Sequence, residues 1–217
     1  NQFRGTKNGC FSAVYIERKK NELKRAALHN LGCKVNAYET EAMQQLLEQN
    51  GYEIVPFSEK ADIYVINTCS VTNIADRKSR QMLHRAKKLN PDSIVVAAGC
   101  YVQTSEEQAR ADAAIDILIG NNKKHELIDM LREFEARRAA VRENDCQERL
   151  PRQDMHSAGD SIEIVEAGKE SAIIDINDRT TEYESLSIQR TSEHTRAFLK
   201  VQDGCNQFCS YCIIPYA

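Results

Sequence analysis

The sequence predicts an α/β fold: a mostly parallel sheet with helices on both faces over residues 24–140, followed by the opening of a (β/α) barrel that the chain does not complete. Three observations carry this. Short apolar runs rich in branched residues alternate with longer helix-period segments, the pattern of strand–helix–strand units in a parallel sheet. The run at Ser93–Ala98 is of the kind buried on both faces. Helix stops stand where the alternation needs them, at Gly51 and at Asn90-Pro91.

Lys24–Asn30 reads as the first strand, and Ala37–Asn50 as a helix with Ala37, Met43, Leu46 and Leu47 on one side. Glu53–Val55 is a short strand, Asp62–Asn67 a stronger one, and Asn73–Leu89 a helix. Ser93–Ala98 is a strand, Ser105–Arg110 a short helix, Ile115–Ile119 a strand and Lys124–Ala139 a last helix. Residues 141–195 turn polar and acidic and read as a linker with a short strand at Ser171–Ile176. Arg196–Gln202 reads as a new strand that opens the second unit, residues 196–217. Residues 1–23 form an extension of unknown role.

The chain has 217 residues, 41 % hydrophobic and 28 % charged, with a formal net charge of −3. That balance gives no global attraction to nucleic acid, so RNA binding needs a local patch or further sequence. No run of about eighteen apolar residues or secretion signal occurs, so a membrane partner is not expected and a cytoplasmic location is. The chain starts at Asn1 and stops shortly after Cys212, so a piece of a longer protein is expected.

Eight cysteines in such a chain suggest metal binding rather than a disulfide framework. Cys205, Cys209 and Cys212 form a Cys-x3-Cys-x2-Cys run. Three thiolates can hold three irons of a four-iron cluster and leave the fourth open to a ligand; a structural zinc site wants four ligands. Cys33, Cys69 and Cys100 each follow a strand, one strand–helix–strand unit apart, so they gather at the carboxyl edge where open sheets bind ligands. Three buried structural cysteines are the alternative. Asn36 with Glu39, and Asn73 with Asp76, read as helix-capping pairs behind Cys33 and Cys69. Helix starts there would lower the thiol pKa values, and Thr68, Ser70 and Thr72 could donate to cluster sulfurs. Cys10 and Cys146 read as incidental. Arg77, Lys78, Arg80, His84, Arg85, Lys87 and Lys88 make a basic stripe, fit for RNA phosphates or simply a solvated face.

The terminal cysteine run resembles the signature of radical S-adenosylmethionine (SAM) enzymes. With Leu31-Gly-Cys-Lys-Val-Asn-Ala-Tyr-Glu39, Ile66-Asn-Thr-Cys-Ser-Val-Thr-Asn73, Ala98-Gly-Cys-Tyr-Val-Gln103 and Arg196-Ala-Phe-Leu-Lys-Val-Gln-Asp-Gly-Cys205, residues 24–217 resemble the methylthiotransferase family of those enzymes. Gly-Cys-Lys-Val-Asn and Val71–Arg80 are most similar to the branch acting on threonylcarbamoyladenosine in tRNA. Other branches act on isopentenyladenosine in tRNA or on an aspartate of a ribosomal protein.

The resemblance implies two [4Fe-4S] clusters and SAM: an auxiliary cluster on Cys33, Cys69 and Cys100, and a SAM-bound cluster on Cys205, Cys209 and Cys212. It implies SAM cleavage to a 5′-deoxyadenosyl radical, hydrogen removal from C2 of the adenine, sulfur supply at the auxiliary cluster and methylation by a second SAM. Tyr211 is placed near the adenine of SAM or in a core. The implied partners are tRNA, met by the Arg77–Lys88 helix and a further C-terminal domain, and an electron donor such as a flavodoxin-type reductant. A chain without the rest of the barrel is not expected to turn over. The competing class is a non-catalytic iron–sulfur or zinc module that binds RNA.

Overall fold

The computed structural model describes residues 23–70, 72–148, 173–175, 186–189, 200–202 and 204–216. Its strands are β1 (Arg25–Asn30), β2 (Glu53–Ile54), β3 (Ile63–Thr68), β4 (Ile94–Gly99), β5 (Ile117–Ile119) and β6 (Ile173–Asp175). They form one sheet in the order β2-β1-β3-β4-β5-β6, and every neighbouring pair is parallel. The helices are α1 (Lys34–Gln49), α2 (Asn73–Leu89), α3 (Cys100–Thr104), α4 (Glu106–Ala111) and α5 (Leu127–Glu148).

All six residues of β3 and of β4 are buried, because the strands are covered on both sides. Ile63 and Val65 face Met43 and Leu47 of α1 and Leu131 and Phe134 of α5. Tyr64 and Ile66 face Leu83 and Ala86 of α2 and Tyr101 and Val102 of α3. Each large apolar side chain so covered contributes about 1.5–3 kcal/mol. The order 2-1-3 reverses direction between β1 and β3, and such a switch point opens a crevice beyond the carboxyl ends of those strands.

Every strand expected between residues 24 and 119 is present, and α2 has the expected bounds. Four local expectations change. The capping pairs are replaced: Cys33 occupies the α1 cap position with no side-chain cap, and Thr72 caps α2 by accepting from Ala75 N–H at 3.1 Å. A helix begins at Cys100 itself, ahead of the one expected from Ser105. The expected helix start at Lys124 is a 3-10 turn, Asn121–Glu126, which turns Lys124 inward. The sheet and its covering layer also pass residue 140: α5 runs to Glu148, and β6 pairs with β5 from Ile117↔Ile173 to Ile119↔Asp175. Of the strand expected at Arg196–Gln202, residues 196–199 lie outside the described residues, and 200–202 carry no strand. The extension 1–22 and Cys10 lie outside as well.

Candidate metal centre

Strand register brings the first three cysteines to one edge. Asn30 pairs with Asn67 and Thr68 pairs with Gly99, so the residues that follow, Cys69 and Cys100, leave adjacent strands side by side. Cys33 comes over from β1 through Gly32, whose φ of +111° favours glycine. A Cβ on Gly32 would stand 2.7 Å from Cys69 Cβ and 2.8 Å from its Sγ, so only glycine lets the two loops close. Gly99, at φ +98°, does the same below Cys100, where a Cβ would lie 2.6 Å from Asn67 Oδ1.

Asn36 fastens the edge. Its Nδ2 donates to Leu31 O at 2.8 Å and to Thr68 O at 2.9 Å, tying the β1 loop to the end of β3, while Cys33 Sγ stands 3.5 Å from its Oδ1. This side chain, expected as a cap, is a buried clamp between two cysteine loops. Behind it, the fully buried Asn67 donates to Asn36 O at 3.0 Å and Thr40 Oγ1 at 3.2 Å.

Beneath the thiols lies a buried charge cluster. Lys124 Nζ is 2.6 Å from Glu39 Oε2, and Lys200 Nζ is 3.0 Å from Glu39 Oε1. Burial raises the Glu39 carboxyl, but the two ammonium groups outweigh it and hold the pKa below its usual value. Asn121 connects this cluster to the edge, accepting from Lys124 at 3.2 Å and pointing Nδ2 at Cys100 Sγ from 3.9 Å. Burial pushes the Cys100 thiol up, against the opposing pull of Lys124 and of the Asn121 amide. Thr68, Ser70 and Thr72 have partners other than thiols: Ala98 O at 2.6 Å, Thr104 Oγ1 at 2.7 Å and the α2 cap.

The chemistry of the donor set, three free thiols at one sheet edge, is of the kind that would hold an iron–sulfur group. Among the described residues no group of three or more His, Cys, Asp or Glu side chains stands close enough together to hold a metal ion.

Residues 25–120, which contain this whole edge, match the family described as Uncharacterized protein family UPF0004. The chain carries a UPF0004 domain. It is 38 % identical over 191 residues to the threonylcarbamoyladenosine tRNA methylthiotransferase MtaB of Bacillus subtilis, covering 88 % of this chain and 36 % of that protein. It is 35 % identical to the Aquifex aeolicus protein of the same name, covering 89 % and 40 %. It is 31 % identical to the tRNA-2-methylthio-N(6)-dimethylallyladenosine synthase of a Shewanella strain, covering 89 % and 35 %. The chain thus spans little more than a third of the length of these relatives.

The second cysteine group lies beyond the UPF0004 domain and is built differently. Phe208 takes a left-handed φ of 48°, and Cys212 N–H bonds back to Cys209 O at 3.0 Å, so the run curls through local turns. Cys209 is exposed, Cys205 and Cys212 partly so. Tyr211 is 92 % exposed and joins no core among the described residues. On α2 of the UPF0004 domain, Lys87 is engaged with Asp116 at 2.6 Å and His84 with Asp112 at 3.0 Å. Arg77, Lys78, Arg80, Arg85 and Lys88 are exposed. Among the described residues no helix is long and apolar enough to cross a membrane.

Sequence reasoning missed the ion cluster and the clamp. Their signal was present: Asn36 and Glu39 stand on the same helical stripe as Met43 and Leu47, polar residues where core residues belong.

Proposed function

We propose that the protein to which this chain belongs is a radical SAM methylthiotransferase that adds a methylthio group to C2 of N6-threonylcarbamoyladenosine in tRNA. The observation that carries this is the coexistence of two three-cysteine groups, one at the switch point of the UPF0004 sheet and one in a contiguous loop. The similarity to relatives named for that reaction supports the substrate.

Cys33, Cys69 and Cys100 hold an auxiliary [4Fe-4S] cluster, and Cys205, Cys209 and Cys212 hold the one that binds SAM. These groups, when bound, supply radical and sulfur-transfer chemistry. The chain orients them. Asn36 keeps the Cys33 loop on the Cys69 loop, and Asn121 carries the Lys124 charge to Cys100. Tyr211, exposed beside Cys212, packs near the adenine of SAM. The exposed cations of α2, which starts just after Cys69, meet tRNA phosphates. A flavodoxin-type donor supplies electrons, and the protein works in the cytoplasm.

Anaerobic reconstitution followed by iron and sulfide analysis tests the cofactors. About eight irons per chain should fall to about four when Cys33, Cys69 and Cys100 are all changed to Ala. Zinc without sulfide, or iron unaffected by the triple change, would overturn the assignment. Mass spectrometry of tRNA nucleosides after gene deletion tests the substrate: methylthio-threonylcarbamoyladenosine should vanish. Loss of the methylthio-dimethylallyl nucleoside instead would move the protein to the branch of the Shewanella relative.

A further inference from the structure

Lys200 is buried to 2 % side-chain exposure, while the residues after it, Val201 and Gln202, are exposed. An ammonium does not leave water without a counter-charge, and here the counter-charge is Glu39, on the helix that starts at Cys33. The same helix takes two more contacts from this part of the chain. Tyr38 Oη donates to Leu186 O at 2.9 Å, and Gln189 N–H donates to Gln45 Oε1 at 2.8 Å. Leu186 is itself buried, 8 % exposed. Three contacts from separate points thus fall on α1 over little more than two turns, next to the first cysteine edge, and the last of them precedes Cys205 by one short stretch.

We infer that α1 is the seat on which the chain leading to the second cysteine loop docks, and that Glu39 is the positioning residue that sets that loop against the first. Glu39 is shared between two lysines with different tasks. Lys124 belongs to the sheet domain and reaches Cys100 through Asn121; Lys200 belongs to the approach to Cys205. One carboxylate therefore couples the surroundings of both cysteine groups. The contacts are those of the chain itself; their consequence for catalysis rests on the function proposed above.

Hydrogen exchange of the metal-free chain, read by mass spectrometry, tests the seat without relying on clusters or turnover. Lys200→Met keeps the length of the side chain and leaves the Lys124–Glu39 pair intact. Exchange over residues 200–216 should rise about tenfold or more, while β3 and β4 stay as protected as in the wild type. Lys200→Arg should restore protection. Glu39→Gln should loosen 200–216 and the turn around Lys124 together; if it does not fold, the Lys200 pair of variants decides alone. Unchanged exchange over 200–216 in Lys200→Met, or an equal rise in every element, would overturn the proposal. An iron count that fails would strike the cofactor assignment and leave this result standing.

Discussion

The two cysteine groups are opposite solutions to one problem. The first is assembled from three distant stretches by strand register, with two glycines that permit close approach and a buried polar foundation of Asn36, Asn67, Glu39 and Lys124. The second is contiguous, held by turns within a few residues, and partly or fully exposed. A site assembled by tertiary structure ties its thiols to the stability of the sheet. A local loop does not, and it depends for position on whatever it docks against.

Glu39→Gln is the strongest way to probe that contrast. It removes the buried carboxylate that Lys124 and Lys200 share, and should cost about 3–5 kcal/mol in urea unfolding. It should also alter acid sensitivity. A carboxylate whose folded pKa lies below its unfolded value, here 4.5, adds stability above that pH and loses it as pH falls through the folded value. The wild type should therefore weaken below about pH 4.5 more steeply than the variant, whose curve would be flatter; parallel curves would show that the pair is not ionised as described.

Gly32→Ala comes next. A Cβ at φ +111°, 2.7 Å from Cys69 Cβ, should cost about 1–3 kcal/mol and reduce iron retention at the first group alone. An equal loss at both groups would show that they are not structurally separate. Thr72→Ala removes the α2 cap behind Cys69 and should cost about 1 kcal/mol in thermal unfolding. The smallest effect belongs to the second loop: Cys209→Ser, exposed and held by local turns, should change the stability of the metal-free chain by less than about 0.5 kcal/mol. A larger change would mean that this loop shares the core of the first.

The sequence alone determined the parallel sheet, its strand sequence up to β5, the bounds of α2 and the six cysteines in two groups. These follow from short-range physics: hydrophobic period, helix punctuation and the spacing of one strand–helix–strand unit are all written within about thirty residues. Cap assignment was legible only as a pattern, and it failed at Asn36 because that amide finds better partners in Leu31 O and Thr68 O than in the first turn of its own helix. The short strand at Ser171–Ile176 was legible in the sequence and is present as Ile173–Asp175, but only the tertiary structure decided that it joins the sheet, in parallel beside β5. It also decided that Lys124 and Lys200 meet on Glu39. Charged residues in a sequence read as surface, and only the closing of the fold around them shows which ones have been given a counter-charge inside.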